Sequence, residues 1–324
     1  MALTTYLEAI RQGIWEEMEK DERVFILGED VGVYGGAFKV TAGMLDHFGP
    51  QRVIDTPISE SAIVGAAIGA SYMGMRPVAE MQFIDFISCA FDQITNVAAK
   101  SRYRWGAGVP IVIRGPSGGN THGGPFHSQN VESYFFHTPG LKIVQPSTAY
   151  DAKGLIKAAI RDDDPVLYLE HKYLYRRIKE EIPEDDYVVP IGKATVRRKG
   201  NDLGIITYGA AVYTALEAAE SLTAEGVETE VLDIRTILPL DEEAVLETAK
   251  KVSKVIVLHE ACLTGGAGGE IVARIAEKAF DFLDGPVMRV AAQDTPVPYS
   301  PPLEEYFLPQ TDDVLQAARK LLAY

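Results

Sequence analysis

Basic residues are scarce in this chain: 31 Lys and Arg stand against 46 Asp and Glu, a net charge of −15. Phosphate backbones are bound by basic surfaces, so the balance argues against a nucleic-acid partner. It permits a basic protein partner, or serves solubility alone. Cysteine is nearly absent. Cys89 and Cys262 lie far apart in no metal-spaced motif, which points to a reducing compartment. The apolar run 62–75 falls short of the roughly 20 residues that cross a bilayer. The first residues lack the basic-then-apolar pattern of a secretory signal. No segment is low-complexity, and no fixed-period repeat is visible. Together these absences predict a soluble cytoplasmic protein without a membrane segment.

What is present is an ordinary globular composition, 47% hydrophobic and 24% charged over 324 residues, enough for two domains. Apolar runs and helical periodicities alternate. Helices are expected over 4–20, 41–48, 61–75, 89–107 and 149–161, and strands over 23–27, 53–54, 76–82, 109–114, 141–145 and 165–170. Residues 173–200 are charged, carry Pro183 and Pro190, and read as a domain linker. Alternation then resumes to an amphipathic helix at 311–323. The fold class is α/β with mainly parallel sheets. The first domain spans 1–185, with its linker running to about 200, and a smaller one spans 201–324.

Three features carry chemistry. Glu60 follows a short strand and precedes a helix rich in small residues. It is either a helix-start acid or a ligand-facing carboxylate. Phe83 and Phe86 follow the strand that begins near Arg76, at the sheet edge where ligands bind in open α/β folds. They are core residues, or they offer a face to a flat heterocycle. A Gly-rich loop, 115–125, leads to His127-Ser128-Gln129. It is a long connection, or a functional loop bearing two histidines suited to proton transfer. A second Gly-rich stretch, 264–270, does not match the strand–GxGxxG–helix spacing of a dinucleotide site. Gly65 and Gly69 form a small-residue face, for a buried helix contact or a subunit interface.

These segments, with Gly28-Glu29-Asp30-Val31-Gly32, Asp55-Thr56-Pro57-Ile58-Ser59-Glu60, Arg76-Pro77-Val78-Ala79-Glu80 and Asp294-Thr295-Pro296 in order, resemble the β subunits of 2-oxoacid dehydrogenase complexes along essentially the whole chain. The resemblance implies a transketolase-like pyrimidine-binding domain followed by a smaller transketolase C-terminal-type domain. It implies that thiamin diphosphate is the cofactor and that Glu60 hydrogen-bonds its pyrimidine ring nitrogen. The cofactor's exocyclic nitrogen is thereby made basic enough to take the thiazolium proton. Phe86 falls on the stacking position, Ile58 and Gln82 fall near the ring, and His127 falls on the histidine that helps pass the acyl group to a lipoyl arm. Ile111, Ala159, Ile160, Asp162 and Asp164 match a monovalent-cation site, in the family a structural potassium; many members carry Asn at the position of Asp164.

The Gly-Asp-Gly motif with which thiamin enzymes hold Mg on the diphosphate is missing. The resemblance assigns it to a separate α subunit in an α2β2 tetramer, and it implies docking to a lipoyl-bearing acyltransferase core. Residues 127–135 and 174–181 look more like branched-chain (2-oxoisovalerate) members than pyruvate members, and 83–92 has an acetoin-dehydrogenase flavour. A nicotinamide oxidoreductase would need a fingerprint that 24–36 does not provide. A purely structural docking subunit is the non-enzyme alternative.

Overall fold

Thr5 decides where the first helix starts. Its hydroxyl accepts the Glu8 N–H at 3.2 Å while the Glu8 carboxylate takes the Thr5 N–H at 3.0 Å, a reciprocal capping box. In the computed structural model, which describes residues 2–324, α1 is therefore Tyr6–Lys20. Thr4 and Thr5, expected in the helix, instead end a strand, β1 (Ala2–Thr5), paired antiparallel with Lys179–Ile182. The chain divides into two units. One holds everything up to Ser117 together with Tyr134–Ile191; the other holds Gly118–Ser133 and Gly192–Tyr324.

In the first unit, β2 (Val24–Gly28), β3 (Val53–Asp55), β4 (Arg76–Glu80), β5 (Val112–Ser117), β6 (Lys142–Val144) and β7 (Val166–His171) run parallel in the order β6-β7-β5-β4-β2-β3. β2, β5 and β7 are buried at every position, as near-continuous apolar strands covered on both faces must be. The helices are α2 (Met44–Phe48), α3 (Glu60–Tyr72), α4 (Ser101–Trp105), α5 (Glu132–Phe136) and α6 (Ala149–Arg161). A side chain at Gly13 would strike Ile156, so this glycine lets α1 lie close on α6. The long helix expected over 89–107 is broken into a 3-10 segment (Ile84–Ala90), a π segment (Gln93–Ala98) and α4. The Thr95 and Ser101 hydroxyls donate to carbonyls four residues back at 2.8 and 3.0 Å, competing with the regular ladder, and Ala99 N–H reaches five residues back to Ile94.

Three buried charges cross the middle of this sheet. Arg114 on β5 is bonded to Glu80 on the neighbouring β4 and, through both Nε and Nη2, to Glu170 on β7. Tyr175 donates its hydroxyl to Glu170 at 2.6 Å. Arg114 is 1% exposed. Burial, reinforced by the Glu170 charge and opposed by Arg114, pushes the Glu80 carboxyl up to about 7.

The stretch read as a linker contains β8 (Lys179–Ile182) and β9 (Thr195–Arg198). In the second unit β10 (Leu203–Thr207), β11 (Thr229–Asp233), β13 (Val255–Cys262) and β14 (Met288–Ala292) form a sheet with β9 in the order β14-β13-β10-β11-β9, antiparallel only at β9; a short β12 (Thr236–Leu238) follows β11. α7 (Ala211–Ala224), α8 (Glu242–Val252), α9 (Ala267–Lys278), α10 (Pro301–Phe307) and α11 (Thr311–Leu322) complete it. α7 and α11 cover one core cluster with alanines and leucines. The second Gly-rich stretch has a packing role. Side chains at Gly266 and Gly268 would fall 2.4 and 2.6 Å from the ring of His259, which is fully buried, parallel to Tyr208, and bonded through Nδ1 to Ala261 O at 3.0 Å. Burial lowers its pKa to about 4.

Two outcomes are expected. Arg114→Met leaves two carboxylates buried without their cation and lowers stability by about 3–5 kcal/mol, while Glu80→Gln/Arg114→Met/Glu170→Gln recovers most of it, read by urea unfolding. His259 is held below its unfolded value, so its contribution is complete above pH 6.5 and is lost as pH falls toward 4, amounting to about 3 kcal/mol. Glu80 acts in the opposite sense, its contribution complete below the ordinary carboxyl range and lost as pH rises through 7. His259→Gln should flatten the acid limb of a melting-temperature profile; an unchanged limb contradicts this.

Candidate functional site

The carboxyl ends of β2, β3 and β4 lie side by side, Gly28 in register with both Asp55 and Glu80. Each strand delivers part of a cluster. After β2 come Glu29 and Asp30. After β3, the Thr56 N–H turns back onto Gly28 O at 2.9 Å, and the loop reaches Glu60 as the first residue of α3. After β4 come Gln82, Phe83 and the 3-10 segment with Phe86. The Ser61 hydroxyl donates to Cys89 O at 2.5 Å and ties the start of α3 to that segment.

The Asp55 carboxylate accepts the Gly32 and Val33 N–H groups at 2.6 and 3.3 Å, folding the Gly28–Gly32 segment over the strand ends. A Cβ at Gly32 would lie 2.6 Å from that carboxylate, so only glycine fits. Gln82 donates its amide to Asp30 at 2.9 Å. Glu29 is buried, and its pKa is raised, first by burial and then by the charges of Glu60 and Asp30. Glu60 is partly exposed as the first residue of α3, and the preceding Ser59 makes no side-chain cap. Ile58 is 82% exposed on the loop before it, and Phe86 is half-buried. The cluster thus offers a carboxylate that can share a proton, an amide, and apolar surface suited to a flat heterocycle. Four of the expected residues, Glu60, Ile58, Gln82 and Phe86, come from adjacent strand ends. Glu29 and Asp30, part of the Gly28–Gly32 motif, join them; their place directly after a strand is the available signal.

The residues matched to a cation site form a corner at the carboxyl end of α6. Arg76 donates to Ile160 O and Asp162 O at 3.0 and 2.9 Å. Ala159 O accepts the Asp162 N–H at 3.3 Å and Ile111 O the Val166 N–H at 3.0 Å. Lys142 lies 2.6 Å from the Asp162 carboxylate, and Arg102 lies 2.5 Å from that of Asp164. Cationic side chains thus already meet the Ile160 and Asp162 carbonyls and both carboxylates.

His127 belongs to the second unit. It closes the 3-10 turn Gly124–Phe126, its N–H reaching Gly124 O at 3.3 Å. Glu260 accepts the Gly119 N–H at 2.6 Å and the Asn130 amide at 2.9 Å, and Glu304 accepts the His122 N–H at 3.1 Å. These two acids lie more than a hundred residues beyond the loop they hold, and no local pattern announces them.

The model of the pyrimidine binding domain of transketolase matches residues 3–178, and that of the transketolase C-terminal domain matches 192–314. The 2-oxoisovalerate dehydrogenase subunit beta of Bacillus subtilis (strain 168) is 53% identical, with all of both chains covered. The pyruvate dehydrogenase E1 component subunits beta of Bacillus subtilis (strain 168) and Staphylococcus aureus (strain COL) are each 44% identical, again over both full lengths. A solved split-gene transketolase, described as an inactive beta4 tetramer, superposes with a TM-score of 0.80 at 24% identity, covering 99% of each chain. No helix among the described residues is long and apolar enough to cross a membrane.

Replacing Glu60 by Gln removes one of the charges that raise Glu29. The Glu29 titration, followed by carboxyl carbon NMR, should move to lower pH; no movement would show that the two carboxylates do not sense each other.

Proposed function

Because this chain belongs to the family of 2-oxoacid dehydrogenase E1 β subunits, built from transketolase-type pyrimidine-binding and C-terminal domains, we propose that it is the β subunit of a branched-chain 2-oxoacid dehydrogenase E1 component, acting with an α subunit on thiamin diphosphate. The observation that carries the substrate class is 53% identity over the full length to a 2-oxoisovalerate dehydrogenase β subunit, against 44% to the pyruvate relatives. Pyruvate, then acetoin, are the alternatives.

When bound, thiamin diphosphate supplies the electron sink for decarboxylation. The chain's own residues place and protonate. Glu60, the first residue of α3, would hydrogen-bond a ring nitrogen of the pyrimidine. Phe86 would offer the stacking face, and Ile58 and Gln82, the latter fixed by Asp30, would lie near the ring. His127 serves proton transfer as the acyl group passes to a lipoyl arm. Ile111, Ala159, Ile160, Asp162 and Asp164 would hold a potassium ion through oxygen atoms, beside the charges of Arg76, Arg102 and Lys142.

Mg on the diphosphate would come from the α subunit of an α2β2 tetramer, and the product acceptor is a lipoyl-bearing acyltransferase core. The open small-residue face of α3, where a side chain at Gly69 would meet nothing within 4 Å, supports a subunit contact there. Two free thiols suit a cytoplasmic setting. The domain boundary is placed near 185–200.

Three measurements test this reading. The chain purified alone should show no thiamin-dependent decarboxylation. Reconstituted with its α subunit, it should turn over 2-oxoisovalerate in preference to pyruvate. Glu60→Gln should cost on the order of 10²–10⁴-fold in turnover with the tetramer intact; full activity in that variant would instead mark a structural subunit.

A further inference from the structure

The carboxyl end of β4 carries an unbalanced charge beneath the loop that follows β2. Arg114 meets two carboxylates, and one guanidinium balances only one of them. Glu170 is the better supplied. It takes Nε and Nη2 of Arg114, and the Tyr175 hydroxyl at 2.6 Å. Arg114 reaches Glu80 through Nη1 alone, on Oε2. Glu80 is buried, so a second bare charge there has no solvent to face. The cluster therefore keeps one proton near neutral pH, on Glu80 and on the oxygen turned from the guanidinium, Oε1.

That oxygen faces the loop. A side chain at Gly36, itself at φ 81°, would lie 3.2 Å from Glu80 Oε1 and 3.3 Å from the Thr41 hydroxyl. Gly28 packs on the same residue; a side chain there would lie 2.8 Å from Glu80 O. From Gly36 the contacts run straight to the cluster around Glu60. The Gly36 N–H donates to Asp30 O at 2.7 Å, and the Asp30 carboxylate takes the Gln82 amide at 2.9 Å. Asp30 lies in the left-handed region at φ 57°, a conformation that persists only under such restraint. Thr41 closes the loop, its N–H on Gly35 O at 3.2 Å and its hydroxyl on Val31 O at 2.7 Å.

We propose that Glu80 is a positioning residue of the cofactor cluster, and that the proton it holds keeps the 29–41 loop closed over the strand ends. This role rests on the functional reading above. Loss of the proton leaves a buried negative charge against Gly36. The sheet cannot part without unfolding, so water reaches that charge by lifting the loop. Lifting breaks the Gly36 bond to Asp30 and releases Gln82. Burial brings the Glu80 carboxyl to about 7, so the change falls in the neutral range. The charges acting on Glu80 are Arg114 on β5 and Glu170 on β7, with Tyr175 kept neutral by burial. β2 has no ionisable side chain, α3 has Glu60 at its start and Tyr72 at its end, and Glu29, Asp30 and Asp85 follow the strand ends. Arg76, at the far end of β4, is bonded to Ile160 O, and Lys153 and Lys157 of α6 are paired with Glu16.

The test uses the complex reconstituted with the α subunit, from pH 6 to 8. Hydrogen exchange of the peptide covering 29–43, corrected for intrinsic rates, reads the loop, and thiamin diphosphate affinity reads the cluster. With the loop closed only while the proton is held, protection and affinity should each fall by about 10-fold across that range. Glu80→Gln keeps the neutral form and should hold both flat. Glu170→Gln removes the excess charge, moves the Glu80 titration below this range, and should also leave the loop closed at pH 8. It keeps the test open should the Glu80 variant fail to fold. The wild-type slope persisting in either variant, a wild-type loop whose protection ignores pH, or a loop that opens with cofactor affinity unchanged overturns the proposal and leaves the functional reading standing. A wild-type complex that binds no thiamin diphosphate overturns the functional reading, and the positioning role of Glu80 with it.

Discussion

Arg114 sits between two carboxylates in the middle of the first unit's sheet, and the strand ends take their positions from that contact. A guanidinium with two acids is one negative charge over balance, and the excess falls on Glu80, whose carboxyl burial has already raised to about 7. Replacing such a network by apolar groups is often neutral for stability, whereas removing one member is not. Its value here is geometric. Glu80 is the last residue of β4, two positions before Gln82, and its neighbour Gly28 is the last residue of β2, directly before Glu29. The charges that lock the strands in register therefore also set the spacing of the cluster around Glu60.

The two Gly-rich segments show how one composition serves two ends. In 118–124, glycines permit positive φ and close approach. Gly118 and Gly124 lie at φ 83° and 68°, and a side chain at Gly123 would strike His127 and Ser128. The loop is then held from outside by Glu260 and Glu304. In 264–270 the glycines make room for a buried, neutral imidazole. The sequence separates these cases only by the absence of a fingerprint in the second; the histidine that explains it stands five residues upstream, inside a strand.

Much of the fold could be read from the chain because parallel strands buried on both faces are continuous apolar runs, and helices such as α6 and α11 keep clear periodicity. Two of the misread elements share a cause, side chains bonding the backbone locally. Thr5 caps a helix that periodicity alone would start earlier, and Thr95 and Ser101 divert carbonyls inside what reads as one long helix. Glu60, Gln82 and Phe86 were visible because short linear motifs follow strand ends. Glu29 was hidden in a motif, and Glu304 could not be seen, since its partner lies 182 residues away and helix α10 carries no signal of its own.

The way the two units share the chain has a consequence for biosynthesis. β1 needs β8 as its partner, so the first unit stays open until residue 182 has left the ribosome. By then residues 118–133 have been made, but Glu260 and Glu304, which hold them, have not. The Gly-rich loop must wait for both carboxylates through the translation of more than a hundred further residues. Its glycines, which keep it from committing to a competing structure in that interval, suit it to the delay as well as to its final shape.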